Sequence, residues 1–418
     1  MGADVIVLTT AALIGLYMAA NIGANDLANA MGTSVGSGAL TLNRAVVISI
    51  VANLLGAVLA GGHVTNTISK GMINPNLLVG APDKLMLGMF AALLAGGIWV
   101  HLATVMGLPV STTHSIVGAV VGFGLLSVGF KAISWAKVLT IVLSWVVSPF
   151  AGAIIAGGIY YLIRRKVLDS HSPEAMAMRS APYLIGFVLV VIILSFIFKG
   201  LKNLHLDLGF GQALFIALPC GAAGGIVGTR WLRSLILRWE DQPEDQRATS
   251  PLQAFFAYLQ ILTACYVAFA HGANDVANAI GPLAAIFSVV KTRSVVMQVE
   301  VPIWMLAIGG IAVGGGLYAF GGKVMETVGG KITELTPVRG FCAQFGAATT
   351  ILVCSRLGLP VSTTHVLVGA VVGVGFMRGM GFLDMRLLRN IGSSWLVTLP
   401  FTVVLAMIFY KLLILFFL

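Results

Sequence analysis

This chain is short of charge. Of its 418 residues only 10% are Asp, Glu, Lys or Arg, and the acids number 15. A soluble domain carries about 25% charged residues, because a water-facing surface of that size has to be covered by them. A soluble enzyme, a nucleic-acid-binding protein and a disordered chain are therefore excluded. Cysteine is equally sparse. Cys220, Cys265, Cys342 and Cys354 each lie in an apolar run and none forms a CxxC pair. That removes a disulfide scaffold and reads as four small, buried, apolar helix residues. Glycine is plentiful at 50 residues but has no three-residue period, so the chain is not collagenous. The first residues, MGADVIVLTT, lack a basic segment and carry Asp4. They read as the start of a first membrane span and not as a cleaved leader.

What the chain does have is hydrocarbon, with 58% hydrophobic residues and a mean hydropathy of +0.98. About 20 apolar residues cross a bilayer as a helix. Runs of about that length fall at 5–20, 45–62, 85–105, 137–163, 182–198, 210–227, 253–270, 294–320, 338–357 and 391–417. Two more stretches, 107–130 and 358–378, are rich in Gly and start at Pro109 and Pro360. They read as broken or re-entrant helices, which membranes tolerate where the backbone is covered by protein. The expected fold is an all-α polytopic membrane protein of about 10–12 transmembrane helices. Its 25 Lys and Arg punctuate the runs as interfacial anchors, so the net charge of +10 does not point to nucleic acid. Arg164, Arg165, Lys166 and Arg179 mark one polar connection. Arg230, Arg233, Arg238 and Arg247, with the acids Glu240, Asp241, Glu244 and Asp245, mark a second. Two spans separate these connections, so both lie on one side, which the excess of Lys and Arg makes the cytoplasm.

The chain repeats itself. Residues 23–32 read GANDLANAMG and 272–281 read GANDVANAIG, while 107–114 and 358–365 both read GLPVSTTH. The copies stand 249 and 251 positions apart, so they keep register. This divides the chain into a first transmembrane repeat (1–165), a two-span insertion with cytoplasmic loops (166–252) and a second repeat (253–418). The first repeat starts outside and the second at a cytoplasmic loop. The halves are thus expected to be inverted repeats with a site near mid-membrane, where the broken helices meet.

Asn25, Asp26 and Asn29 gather on one side of a helix if their segment is helical, and Asn274, Asp275 and Asn278 repeat the pattern. A carboxylate within a span costs at least ~2.5 kcal/mol and is ordinarily justified by a cation, a proton or a water path. The flanking glycines would permit unwinding that frees carbonyl oxygens for an ion. Helix capping and interhelical hydrogen bonding are the alternative uses of these residues. In the other block, Pro109 and Pro360 suit the first turn of a new helix. Ser111, Thr112, Thr113 and Ser362, Thr363, Thr364 then sit at helix starts, where hydroxyls and unpaired N–H groups form an anion site without a basic side chain. Simple capping is again the alternative. His114 and His365 read as packing or hydrogen-bonding residues behind those hydroxyls, because no zinc-like spacing surrounds them. Duplication of the whole block argues against a Ser–His nucleophile, and the chain is not expected to be an enzyme or to hold a cofactor.

At these residues the sequence resembles the inorganic phosphate transporter family, marked by a duplicated GANDVANA signature. That signature is matched here at 23–30, with Leu27 in place of Val, and at 272–279. The resemblance implies symport of phosphate with Na+ or H+, inward across the plasma (inner) membrane by a multi-pass protein. Proton-coupled carriers of phosphate or metal–phosphate and sulfate permeases belong to the same family. Carried over, Ser111, Thr112, Thr113, Ser362, Thr363, Thr364, Asn25 and Asn274 would hold the anion. Asp26, Asn29, Asp275 and Asn278 would hold Na+ or another coupling cation. The oxygen ligands favour Na+. The acids favour phosphate over sulfate, since only phosphate carries an O–H for a carboxylate to accept. The Gly-rich segments 118–124 and 369–375 would allow the halves to rock in alternating access. A channel is the rival class. Glu300, Glu326 and Glu334, peculiar to the second half, read as interfacial. The oligomeric state is open, a homo-oligomer included.

Overall fold

The computed structural model describes residues 2–60, 78, 80–199, 208–240, 250–295, 301–356 and 361–417, and there is no β-strand among them. Pro360, Glu300 and the run Asp241, Glu244, Asp245 and Arg247 lie outside the described residues. The first half comprises α1 (Gly2–Ile22), α2 (Ala28–Gly36), α3 (Leu42–Ala60), α4 (Pro82–Val105), α5 (Thr112–Ser127) and α6 (Trp135–Ile163). A hairpin of α7 (Pro173–Lys199) and α8 (Phe210–Glu240) follows. The second half comprises α9 (Pro251–Asn274), α10 (Val276–Thr292), α11 (Ile303–Phe320), the short α12 (Gly322–Glu326), α13 (Pro337–Arg356), α14 (Thr363–Arg378) and α15 (Met385–Phe417).

Nine helical stretches among the described residues are long and apolar enough to span a membrane. Their boundaries correct several of those drawn from the sequence. The first span does not stop at 20. It runs from Asp4 to Gly36 as one stretch of 33 residues, with a single π-helical turn at Gly23–Leu27. The polar side chains of that turn are satisfied by other helices, so they do not end the helix. The stretch Pro251–Thr292 likewise runs over 42 residues, interrupted only at Asp275. The run at 210–227 lengthens to Glu240, carrying Arg230, Arg233 and Arg238 along a helix that outreaches the hydrocarbon. The run at 294–320 shortens to Ile303–Phe320, started by Pro302. The run at 338–357 forms α13, which is not among the nine apolar spans. It is sheathed by protein, with Phe341, Cys342, Gln344, Phe345, Ala347 and Ala348 all buried, so lipid does not dictate its composition. Cys342 and Cys354 are buried as expected, whereas Cys220 is exposed on α8. A thiol facing lipid needs no polar partner.

The halves interleave. Helix α5 packs on α15 and its counterpart α14 on α6; α3 packs on α9 and its counterpart α11 on α1; α4 packs on α15 and α13 on α6. Each half is thus completed by the other. The leading helices run antiparallel: Asp4 pairs with Arg293 at one end (2.6 Å), while Ser37 donates to Gln260 at the other (2.7 Å). At that second end Arg164 donates to the Met377 carbonyl, and Arg378 and Arg339 both pair with Glu334. The Glu334–Arg378 pair shows that α13 and α14 form a hairpin returning to the end from which it starts. Glu326 and Glu334 are exposed, as expected of interfacial residues.

Tight crossings depend on bare backbone. A Cβ on Gly316 would collide with the Ala20 carbonyl, and one on Gly23 with that of Val313, whereas a Cβ on neighbouring Gly315 meets nothing within 4 Å. Gly316→Ala should therefore destabilise the α1–α11 crossing by roughly 1–3 kcal/mol, and Gly315→Ala should not. Heating the detergent-purified protein and following its monodisperse fraction checks this. Equal midpoints for the two variants would contradict the packing account.

Candidate functional site

The two GLPVSTTH blocks bring hydroxyls to the ends of short helices. After α4, Gly107 adopts a left-handed φ of +69°, which favours glycine. Its N–H and that of Leu108 close the helix on Thr104 and Ala103. Pro109 cannot continue the helix, the chain extends, and Ser111 begins α5 as its N-cap, accepting from the His114 N–H (3.2 Å). Ser362 does the same for α14, accepting from His365 (3.3 Å). Both serine oxygens are thus taken up in capping, as the alternative reading had it, and each hydroxyl hydrogen stays available to donate. The N–H groups of Thr112 and Thr113, and of Thr363 and Thr364, lie in first turns that have no intrahelical acceptor.

Facing these helix starts are the two GAND segments. The π-helical turn at 23–27 adds a residue to the helical circuit and turns Asp26 into the protein, a distortion frequent at functional sites. The second copy departs differently: helicity lapses at Asp275 alone, whose N–H bonds the His271 carbonyl (2.7 Å). Asp26 accepts from Thr112 of its own half in a short hydrogen bond and from Thr364 of the other half (2.8 Å). Asn29 donates to the same Thr364 (3.0 Å). Reciprocally, Asn278 donates to Thr112 and Thr113 (both 3.2 Å), and Thr363 donates to Asp275 (3.3 Å). Two symmetric rules result. The first threonine of each block binds the aspartate of its own half, and the last receives the asparagine of the other half.

These groups are nearly closed to solvent: Asp26 is 2% exposed, Asp275 4%, and Asn29 and Asn278 1% or less. No Lys or Arg bonds either carboxylate among the described residues. The carboxylates are held by threonine hydroxyls and one imidazole, His271, whose Nδ1 lies 2.6 Å from Asp275 Oδ2. Asn29 Oδ1 is buried and accepts no hydrogen bond from the described residues, an oxygen ready for a cation or a water.

The sequence-predicted residues fall in three places. Asp26, Asn29, Thr112, Thr113, Thr364 and Asn278 form one network, and Asp275 and Thr363 adjoin it with His271. Asn25 stands apart: its amide donates to Thr104 Oγ1 and the Leu108 carbonyl (3.0 Å each), and its carbonyl accepts from the Val110 N–H (3.0 Å). It clamps the α4–α5 turn. Asn274 is half-buried, and residues 357–360, which correspond in sequence to part of the segment Asn25 clamps, lie outside the described residues. His114 and His365 serve packing, as expected. Each stacks on a tryptophan, Trp145 (3.3 Å between centroids) and Trp395 (3.7 Å), and the two imidazoles meet edge-to-face at 4.4 Å. His271 was missed by sequence reasoning. Its signal was there, since a residue four positions before Asp275 shares its helix face, but the first copy has Ile22 at that position and comparison of the repeats passes over it.

A model of the family described as "Phosphate transporter family" matches residues 22–406. The inorganic phosphate transporter 2-1, chloroplastic, of Arabidopsis thaliana is 44% identical over 95% of this chain and 70% of its own. A solved structure described as the sodium-dependent phosphate transporter superposes with a TM-score of 0.87 at 41% identity, covering 98% of this chain and 99% of that one.

Thr364 of the second half bonds both Asp26 and Asn29 of the first. Thr364→Val removes one of the two hydroxyls on Asp26 and the acceptor of the Asn29 amide together, and each buried polar atom left unpaired costs about 1–3 kcal/mol. Thr364→Ser keeps the hydroxyl. The valine variant should melt well below the serine variant in detergent, by nanoscale fluorimetry. Coincident melts would remove Thr364 from the network.

Proposed function

The chain belongs to the phosphate transporter family and is a multi-pass membrane protein, and on that premise we propose that it imports inorganic phosphate across the plasma membrane by Na+-coupled symport. The observation that carries this reading is the bonding of Asp26 by hydroxyls from both halves without any basic side chain. The hydroxyls that now donate to Asp26 are free to turn toward an anion once a cation takes their place on the carboxylate. Thr112, Thr113, Thr363, Thr364, the capping Ser111 and Ser362, and the N–H groups of two facing helix starts then offer donors to a tetrahedral oxyanion from opposite sides. Asp26, Asp275, Asn29 and Asn278 supply only hard oxygen ligands, which suits Na+. Adding a multivalent anion to two carboxylates at mid-membrane is acceptable only if cations enter with it. Asn25 acts on this reading through the turn beside the anion, and Asn274 is assigned to the anion by its motif.

A carboxylate in the site also accepts the O–H that phosphate carries and sulfate lacks, and against sulfate it stands unpaired and repelled. The antiparallel leading helices and the interleaved hairpins support an inverted pair of repeats, 1–165 and 253–418, flanking an insertion at 166–252, that rock about the shared site. Proton coupling is the second reading. It is favoured by His271 against Asp275, a pair able to hold a proton where the first half has only Ile22.

Proteoliposomes loaded under a Na+ gradient should take up labelled phosphate, and replacing Na+ by choline at constant pH should lower the rate at least tenfold. Equimolar sulfate should leave it unchanged, and Asp26→Asn or Asp275→Asn should lower it more than tenfold. Uptake indifferent to choline but driven by a pH gradient would transfer the coupling to protons. Strong competition by sulfate would refute the discrimination argued here.

A further inference from the structure

Below the site the two halves cease to match. From Asn29, α2 presents Thr33 and Ser37 at steps of four residues, one helix face running about 12 Å toward the end where Arg164 meets Met377. Gln260 of α9 donates to the Thr33 carbonyl (2.9 Å) and accepts from Ser37 (2.7 Å). Gln344 of α13 donates to the Ala30 carbonyl (2.8 Å) and to Ser34 (2.9 Å), and accepts from Thr263 (3.1 Å). Gln260, Gln344, Thr33, Ser34 and Thr263 are all fully buried. This is a hydrogen-bonded polar seam that begins at the Ala30 carbonyl, next to Asn29 in the chain, and reaches the bundle end.

The repeat supplies its own control. The counterparts of Gln260 and Thr263 are Ala11 and Ile14, that of Gln344 is Leu93, and those of Thr33 and Ser34 are Pro282 and Leu283. They occupy the equivalent seam, where α10 packs on α1 and α4 as α2 packs on α9 and α13. The mate seam is wholly apolar and belongs to the main core, with Ala11 and Leu93 fully buried. Parting an apolar seam exposes hydrocarbon to water. Parting a hydrogen-bonded one exchanges protein partners for water at little net cost. Hydroxyl and amide oxygens spaced along the seam also give a departing cation successive ligands.

We propose that Gln260 and Gln344, with Thr33, Ser34, Ser37 and Thr263, line the route by which cation and anion leave the site toward the cytoplasm, and that the apolar mate seam is the outer seal. The inference rests on the carrier reading above. The route is closed in this structure because its donors and acceptors bond one another. Gln260 and Gln344 are its latches: they touch no group of the site, and they govern how fast the inner side opens.

Two arms test this in the full chain. In membrane vesicles of each orientation, Ser34→Cys should react with an impermeant maleimide applied to the cytoplasmic face at least ten times faster than from the outside, above the background of the native cysteines. In proteoliposomes, Gln344→Leu, which copies Leu93, should cut the turnover of phosphate uptake about tenfold while its Kd for phosphate in detergent shifts less than threefold. Undiminished turnover, or a Ser34→Cys protein that transports and yet stays unreactive from the cytoplasmic face, would overturn the route. Absence of cation-driven uptake by the unsubstituted chain would instead overturn the carrier reading, and the sidedness of labelling would still decide whether the seam opens.

Discussion

The constraint on which the structure depends is the burial of two carboxylates in a hydrocarbon-rich bundle with no Lys or Arg bonded to them among the described residues. An isolated carboxylate there is expensive, and the protein meets the cost with dipoles. Threonine hydroxyls and one imidazole bond Asp26 and Asp275, and asparagine amides bond those hydroxyls in turn. Such donors are weaker partners than Lys or Arg, and that weakness suits a carrier. A guanidinium fixed to the carboxylate would neutralise it permanently and leave nothing for a mobile cation to do. On the reading proposed above, the hydroxyls stabilise the empty site and give way when a cation arrives.

The same constraint accounts for the interleaving of the halves. One half holds an aspartate and an asparagine on a long helix and three hydroxyls at a re-entrant turn, and its last threonine has no partner within that half. Asn29 reaches Thr364 and Asn278 reaches Thr113, each across to the other repeat. The crossing is braced by the run Trp145, His114, His365 and Trp395, in which the two imidazoles touch at the centre. Trp395 also donates its indole N–H to the Pro109 carbonyl of the opposite half (2.9 Å). Relative movement of the halves therefore alters both ends of the site together, which is the mechanical requirement for alternating exposure.

Much of this was legible in the sequence, and the remainder was hidden for identifiable reasons. Duplicated motifs located the helix starts and the buried acids, because those features are local and a proline or glycine marks them. Helix ends were misjudged wherever protein and not lipid surrounds the chain. Hydropathy ended the first span before Gly23, yet the helix runs on to Gly36 since its polar groups find partners on other helices. Which threonine meets which asparagine was not legible at all, because it follows from the interleaved packing and not from spacing. Asn25 shows the converse. Its motif placed it beside Asp26, but the π-helical turn rotates it onto the Thr104–Val110 turn, where its amide is fully engaged. Ser111 and Ser362 could have been assigned as caps from sequence, since an oxygen at a helix start is first claimed by the N–H three residues on.

Duplication also hides difference. Two identical halves would bind their ligand at two equivalent poses and open as readily to either side. This chain keeps the aspartates, asparagines and threonines in common and varies what lies around them. Asp26 is bonded by two threonines and has Ile22 one turn before it, whereas Asp275 is bonded by Thr363 and has His271 there. The first site is completed by hydroxyls alone and the second by a titratable ring. The helix beyond Asn29 is wet with hydrogen-bonding groups, and the helix beyond Asn278 is dry. The shared residues define what is bound. On the carrier reading, net direction follows the ion and phosphate gradients, and the residues that differ between the halves set how readily each side opens.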